Sequence, residues 1–209
     1  TSSGDIPISS ASTLAMASGR ERTRSRPIPS GQVTVRQAII FLVAQCLIGL
    51  VVLLQFNDFT KLLGISSLFL VVIYPFMKRI TYWPQLFLGL AFNWGALMGW
   101  AAMFGTLHYP AFWLYAGSIL WTIGYDTIYA LQDREDDAMI GVKSTARLFG
   151  AYAREITAAF YVGALILWWF AADGAGVGKV FLYAAWTVPL LLIWQIATLK
   201  PEQGLNCLV

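Results

Sequence analysis

Charged residues are scarce in this chain of 209 residues. Asp, Glu, Lys and Arg together make up 12% of it, against about 25% in a typical soluble protein. A soluble globule needs polar side chains to cover its surface, whereas here 58% of the residues are apolar and the mean hydropathy is +0.64. The shortage of charge argues against a soluble enzyme, a disordered protein and a coiled coil, and it predicts an integral membrane protein.

Histidine and cysteine, which supply many metal ligands and nucleophiles, are also rare. The two cysteines, Cys46 and Cys207, make neither a disulfide framework nor a metal-ligand spacing. The one histidine, His108, falls in a predicted short loop, where an interfacial or solvated role is more common than catalysis. Zinc chemistry and Ser-His-Asp hydrolysis are therefore poorly supported, and a net charge of +3 indicates no nucleic-acid partner.

Long apolar runs are what the sequence has in abundance. Each is near the ~20 residues that a helix needs to cross a bilayer. The runs predict an all-α, polytopic transmembrane helix bundle with about six spans, at residues 35–56, 60–77, 84–106, 110–130, 152–172 and 178–199. If these spans alternate in direction, every Lys and Arg except Lys61 and Lys179 falls on one side of the membrane. The positive-inside rule then places both termini on the cytoplasmic side.

The first 19 residues differ from the rest of the chain. They are rich in Ser, Ala, Thr and Gly, begin with Thr, and lack the basic segment and apolar core of a signal peptide. We expect residues 1–19 to be a disordered or non-native head and residues 20–209 to form the transmembrane domain.

Acidic residues concentrate at the end of the fourth predicted span. In a continuous helix Asp126, Asp133 and Asp137 point within roughly 20° of one direction, with Tyr129 beside them. Carboxylates on one face repel each other unless a cation neutralises them, and Mg²⁺ suits such a face because it takes oxygen ligands and substrate phosphate. A solvated acidic helix end is the alternative. The position of Asp126 before the membrane edge, where an ionisable group is costly, leaves the two interpretations balanced.

Several basic and polar residues are candidate substrate contacts. Guanidinium and ammonium groups bind phosphate, so that Lys78, Arg79, Lys143 and Arg26 could hold a diphosphate. For each arginine, a role in setting membrane topology is a sufficient alternative. Asn93 lies at membrane depth in the third span, where it could pack helices together or contact an aromatic substrate.

The sequence resembles a known family. The pattern Asp-x-x-Tyr-Ala-x-x-Asp-x-x-Asp-Asp at residues 126–137 resembles the second aspartate-rich motif of the UbiA superfamily of intramembrane aromatic prenyltransferases. Residues 24–31, 74–85 and 141–145 resemble its 4-hydroxybenzoate polyprenyltransferase branch, and the likeness runs in order from about residue 20 to residue 200.

The resemblance implies an activity in ubiquinone biosynthesis. A polyprenyl group would pass from its diphosphate to the ring of 4-hydroxybenzoate, with Mg²⁺, in a bacterial or mitochondrial inner membrane. The residues that the resemblance makes catalytic are Asp126, Tyr129, Asp133 and Asp137, of which Asp133 and Asp137 would bind the metal. The residues that it makes substrate contacts are Lys78, Arg79, Asn93, Lys143 and Arg26.

The sequence also departs from the family pattern. Members carry a first motif of the form Asn-Asp-x-x-Asp before the arginine-rich loop, whereas residues 10–18 contain no acid. Members also have about nine spans of ~20 residues each. We therefore expect a truncated product with little or no prenyl transfer. Two alternatives stay open: a family member that uses another aromatic acceptor, such as homogentisate, a naphthoate, a porphyrin or a chlorin, and a non-catalytic membrane fragment or pseudoenzyme.

Overall fold

The computed structural model describes residues 27–28, 30–132, 134–139, 141–178, 183 and 185–199. Every regular element among these residues is a helix, so that the predicted all-α class is confirmed. The helices are α1 Val35–Leu54, α2 Asp58–Ile80, α3 Pro84–Phe92, α4 Trp94–Phe104, α5 Tyr109–Gln132, α6 Arg134–Met139, α7 Thr145–Phe149, α8 Ala153–Gly174 and α9 Thr187–Thr198. A single 3₁₀ turn, Gly150–Tyr152, joins α7 to α8.

Helix α1 belongs to the first of two compact units, which ends at residue 55. It begins with a capping box, in which the Thr34 side chain accepts from the Gln37 N–H and the Gln37 side chain accepts from the Thr34 N–H. Arg36 is the one charged residue in its 20. A helix that is apolar all round has no face that prefers water, which is the pattern expected of a membrane span.

Helices α2 to α9 form the second unit, which begins at residue 56. Helix α5 is central, because α3, α4, α7 and α8 all pack on it, and α8 does so most extensively. Glycines on α5 let α8 approach closely. A Cβ added at Gly117 would lie 2.7 Å from Trp168 Cδ1, and one added at Gly124 would lie 2.6 Å from Tyr161 Cε1. The packed core gathers where α5, α7, α8 and α9 meet, around Ile128.

The predicted spans can be compared with the described helices. Four helical stretches are long and apolar enough to cross a membrane, namely Val35–Leu54, Asp58–Ile80, Pro84–Phe104 and Thr145–Gly174. Helix α5 has 24 residues but is not one of these four, because its tyrosines, threonines and Asp126 interrupt its apolar run. The sixth predicted span, 178–199, is described as a regular helix only over the 12 residues of α9. The chain is an integral membrane protein with six helical regions at the predicted places.

Candidate functional site

Asp126 lies half-buried near the end of α5. The side-chain amide of Gln85, at the start of α3, donates to its carboxylate, and the charge of Lys78 acts on it from the end of α2. Lys78 and Arg79 occupy the last turn of α2 and are exposed. The structure therefore brings Asp126 and Lys78, which are 48 positions apart in sequence, into electrostatic contact at one end of the second unit.

Lys143 joins the same end through the carbonyls of α2. Its backbone N–H donates to Lys78 O at 3.1 Å, and its Nζ donates to Ile80 O at 3.1 Å. The Nζ also lies 5.4 Å from the centre of the Tyr82 ring. The last carbonyls of a helix have no partner within the helix, and a cation beside them is favoured by the helix dipole. The turn that presents Lys143 requires the left-handed conformation of Gly141, whose φ is 75°.

The residues after Lys143 enter a buried polar cluster formed by Gln85, Thr127, Ser144 and Thr145. Each is at most 3% exposed. The Thr145 N–H donates to Gln85 Oε1 at 3.2 Å, and the hydroxyls of Thr145 and Thr127 share a hydrogen bond of 2.5 Å. The Ser144 hydroxyl accepts from the Arg147 N–H and caps α7. Because buried polar groups are costly without partners, these bonds fix the segment against α3 and α5.

Asp137 lies half-buried on α6, and its backbone carbonyl accepts from the Val142 N–H at 2.9 Å and from Arg147 Nη1 at 3.4 Å. Asp133 falls outside the described residues, between the described ends of α5 and α6. The single stripe of Asp126, Asp133 and Asp137 therefore stays a prediction. Arg26 also falls outside the described residues, and its role stays a prediction as well.

Tyr129 belongs to a row of aromatic rings along α5. Its ring lies 4.7 Å from that of Tyr125, with which it shares a side-chain hydrogen bond, and Tyr125 stacks on Trp121 at 5.4 Å and 12°. Tyr125 and Tyr129 are 36% and 41% exposed, which leaves part of each ring available to a ligand. The row runs past Asp126, whose charge acts on Tyr125.

Asn93 lies between α3 and α4, and its amide nitrogen has a packing role. It donates to Gly89 O at 2.9 Å in its own helix and to Thr122 Oγ1 at 2.7 Å in α5. A third acceptor, Ser118 O, lies 3.2 Å away. Such side-chain bonds compete with the helical ladder, which accounts for the break at this residue. Contact between Asn93 and an aromatic substrate stays a prediction.

Gln85, Thr127 and Thr145 are the site residues that sequence reasoning missed. Gln85 and Thr145 stand within two family-like segments, but nothing in their local pattern assigns them a function. The signal would have been an uncharged polar residue at each of three helix ends that all approach Asp126. That coincidence is visible only once α3, α5 and α7 are packed.

The chain is similar to proteins of one family. The sequence profile of the UbiA prenyltransferase family matches residues 15–208. The mitochondrial 4-hydroxybenzoate polyprenyltransferase of Drosophila pseudoobscura pseudoobscura is 48% identical over 192 residues, which cover 90% of this chain and 47% of that protein. The 4-hydroxybenzoate octaprenyltransferase of Shewanella loihica is 44% identical over 188 residues, with coverages of 90% and 66%. The chain spans about half the length of the mitochondrial relatives that it matches.

A solved structure agrees with these relatives. The apo structure of a UbiA homolog from Aeropyrum pernix K1 superposes with a TM-score of 0.73 and 25% identity, over 88% of this chain and 74% of that one. The helical arrangement and the sequence similarity therefore lead to the same family.

Proposed function

The chain belongs to the UbiA prenyltransferase family, and from this premise we propose that its site is built to transfer a polyprenyl group from its diphosphate to the ring of 4-hydroxybenzoate, at a rate lowered by the lack of an acid in residues 10–18. The observation that carries the proposal is the meeting of Asp126, Lys78 and the Lys143 segment at one end of an apolar helix bundle. A polyprenyl diphosphate has the same two-part character, since its tail needs apolar surroundings and its head needs cations. The names of the relatives support 4-hydroxybenzoate as the acceptor.

The diphosphate head is bound by the basic residues of this end. Lys78 and Arg79 are exposed at the end of α2, and Lys143 is held beside them by the carbonyls of Lys78 and Ile80. Fixed positive charge stabilises a leaving diphosphate as its negative charge develops, and it does so most effectively where water is excluded. Arg26 is proposed as a further contact.

The reaction replaces one bond of the prenyl group by another. The bond between the prenyl C1 and the diphosphate oxygen breaks, and its electron pair leaves with the diphosphate. The ring carbon beside the phenol hydroxyl then bonds to C1 and loses its proton. The allylic cation that forms on this path is stabilised by the Asp126 carboxylate and by the face of the Tyr129 ring, because an aromatic face attracts a cation.

We propose that Mg²⁺ binds at this end of the second unit. Asp126 and Asp137 carry carboxylates, the ligands that Mg²⁺ prefers. His108 lies at the other end of the unit, where it accepts a hydrogen bond from Trp100. Within the described part of the chain no group of three His, Cys, Asp or Glu could hold a metal. We propose that Asp137 and Asp133 hold the ion together with the substrate phosphates. The ion would neutralise negative charge on the diphosphate.

The proposed orientation places both termini on the cytoplasmic or matrix side of a bacterial or mitochondrial inner membrane. What supports it is the concentration of basic residues at the end of the second unit that holds Lys78. Lys143 and Arg147 follow α6, and Arg154 stands in the first turn of α8. Lys61 at the start of α2 is the exception among the described basic residues of this unit.

Transfer can be measured in membranes that contain the protein. We expect labelled 4-hydroxybenzoate, a polyprenyl diphosphate and Mg²⁺ to give a labelled product that partitions into organic solvent, and EDTA to abolish it. Homogentisate replaces the acceptor in a parallel assay, and a preference for it would move the protein to another reaction of the same family. No product with any acceptor, together with diphosphate binding that is indifferent to Mg²⁺ and to Asp133→Ala, would refute the proposal.

A further inference from the structure

Gln85 is a buried polar side chain to which the proposed reaction assigns no role. It follows Pro84 in the first turn of α3 and is 2% exposed. Its side chain carries both a hydrogen-bond acceptor, Oε1, and a donor, Nε2. A primary amide can therefore connect a carboxylate to a backbone N–H without adding charge to the site.

The two ends of this amide meet two different elements. Oε1 accepts from the Thr145 N–H at 3.2 Å, in the first turn of α7. The amide nitrogen donates to the carboxylate of Asp126 on α5. Because the amide group is planar, fixing its oxygen also fixes the direction in which its N–H bonds point. The contact with Thr145 therefore determines where Gln85 offers its donor to Asp126.

Thr145 is itself held in place. Its hydroxyl shares a hydrogen bond of 2.5 Å with Thr127, which donates to Ile123 O at 2.6 Å. Thr127 and Thr145 are fully buried, and Thr127 is the residue next to Asp126. The contacts thus form a closed path from Asp126 through Gln85, Thr145 and Thr127 back to the same turn of α5. A closed and buried path leaves Gln85 few alternative positions.

We propose that Gln85 is a positioning residue that orients the Asp126 carboxylate and ties it to the segment that carries Lys143. The inference rests on the proposed function, because it assigns Asp126 to the prenyl-transfer site. Gln85 acts through Asp126 and does not itself contact the substrate. The acid and the two lysines, Lys78 and Lys143, are then held in one geometry rather than as three independent side chains.

Two substitutions of Gln85 separate its two hydrogen bonds. Gln85→Glu keeps an oxygen for the Thr145 N–H but turns a carboxylate, which cannot donate, toward Asp126. Gln85→Met removes both bonds at similar volume. We expect each variant to lower kcat/KM for prenyl transfer by about 10-fold, as is usual when a group that orients a functional side chain is lost. If Gln85 served only to hold Thr145, the glutamate variant would keep wild-type activity, and that result would overturn the proposal.

Tyr115→Phe is the matched control. The Tyr115 hydroxyl donates to Leu90 O at 2.8 Å and so joins the same two helices, α3 and α5, away from Asp126. We expect this variant to retain its kcat/KM, because it loses one bond between the helices without changing the surroundings of the carboxylate. A loss as large as that of Gln85→Met would show that general loosening of α3 is sufficient, which contradicts a positioning role.

A double-mutant cycle with Asp126→Asn tests whether Gln85 acts through Asp126. Once Asp126 has been changed, Gln85→Met should lower kcat/KM by less than about 2-fold further, because effects of residues in direct contact are not additive. Full additivity would overturn the proposal.

Binding of inorganic pyrophosphate in the presence of Mg²⁺ can be measured for the wild type and the variants of the same double-mutant cycle. This measurement separates the inference from the proposed function, since it requires neither the aromatic acceptor nor turnover. If the wild type transfers no prenyl group but the binding cycle is non-additive, the proposed function fails and the inference stands. An additive binding cycle, or no Mg²⁺-dependent binding at all, refutes the inference.

Discussion

At the end of the second unit that holds Asp126, buried polar side chains from three helices bond to each other, whereas at the end that holds His108 the ion pair and the cap of α2 join residues three positions apart. At the first end Gln85, Thr127 and Thr145 come from three helices. At the second, Asp58 pairs with Lys61 at 2.9 Å, and Trp100 Nε1 donates to His108 Nδ1 at 3.0 Å.

The difference shows what each end is built to do. Asp58 has a side chain that is 99% exposed, so that water screens its pair with Lys61, and the pair adds little stability. Asp126 is half-buried, and its position depends on partners in other helices. Burying a carboxylate near hydrocarbon is expensive, and such an expense in a membrane protein marks a functional site.

The largest expected effect comes from removing one carboxylate at each end. Asp126→Asn should lower prenyl transfer by about 100-fold, as the loss of a preorganised electrostatic contact does. Asp58→Asn should leave the rate unchanged, because the Asp58 side chain is 99% exposed and pairs with Lys61 away from Asp126. Initial rates of labelled product formation, with expression matched by immunoblot, measure both. Equal rates for the two variants would show that the Asp126 carboxylate matters no more for prenyl transfer than the exposed carboxylate of Asp58.

The second-largest effect is expected from a methyl group added to a glycine at which two helices pack. Gly124→Ala puts its Cβ 2.6 Å from the ring of Tyr161, which is 2% exposed and donates to Gln195 Oε1. Because that ring has no room to move, we expect a loss of about 1–3 kcal/mol in the free energy of unfolding.

Gly174→Ala is the counterpart at the other end. A Cβ added there would lie 2.5 Å from the ring of Tyr109, but that ring is 63% exposed and can rotate away. The cost should therefore be smaller than at Gly124, and thermal unfolding of both variants in the same detergent checks the order. A reversed order would mean that burial of the neighbouring ring does not decide the cost.

The third-largest effect is expected from the removal of a buried hydroxyl. Thr145→Val removes the bond that links α7 to Thr127 on α5, and we expect unfolding to become easier by about 1 kcal/mol. At the other end Thr60→Val should cost less, since the Thr60 N–H still donates to Asn57 Oδ1 at 2.9 Å. Denaturant titration of both variants gives the comparison, and equal losses would show that a local cap is worth as much as a bond between helices.

The smallest effect is expected for the ion pair of Asp58 and Lys61. Lys61→Met should change the free energy of unfolding by less than about 1 kcal/mol, and salt should reduce even that difference. Measurements at low and high ionic strength test this. A larger, salt-resistant loss would indicate that the end holding His108 is more tightly organised than the exposure of Asp58 suggests.

Much of the fold could be predicted from local patterns. The runs 35–56, 60–77 and 152–172 coincide with α1, α2 and α8, because hydropathy over ~20 residues is a property of the segment itself. The break at Asn93 could not be predicted in this way, since the apolar run 84–106 continues across it. The break follows from a side chain that bonds both its own helix and α5.

The candidate site was predictable in part for the same reason. Asp126, Lys78 and Lys143 stand out in sequence because charges are rare in and beside apolar runs. Gln85 does not stand out, because an uncharged polar residue at a helix start has many uses. Its partner Thr145 is 60 positions away, and no local pattern relates residues at that separation.

Composition and order along the chain determined that this protein lies in a membrane, that its elements are helices and that acids and bases gather near the ends of α2 and α5. These are properties of single segments, and transfer of apolar side chains from water to lipid decides them. The tertiary structure alone decided which of these residues touch. Hydrogen bonds such as those of Gln85 form only after helices distant in sequence have packed, so that the geometry around Asp126 belongs to the fold and not to any one segment.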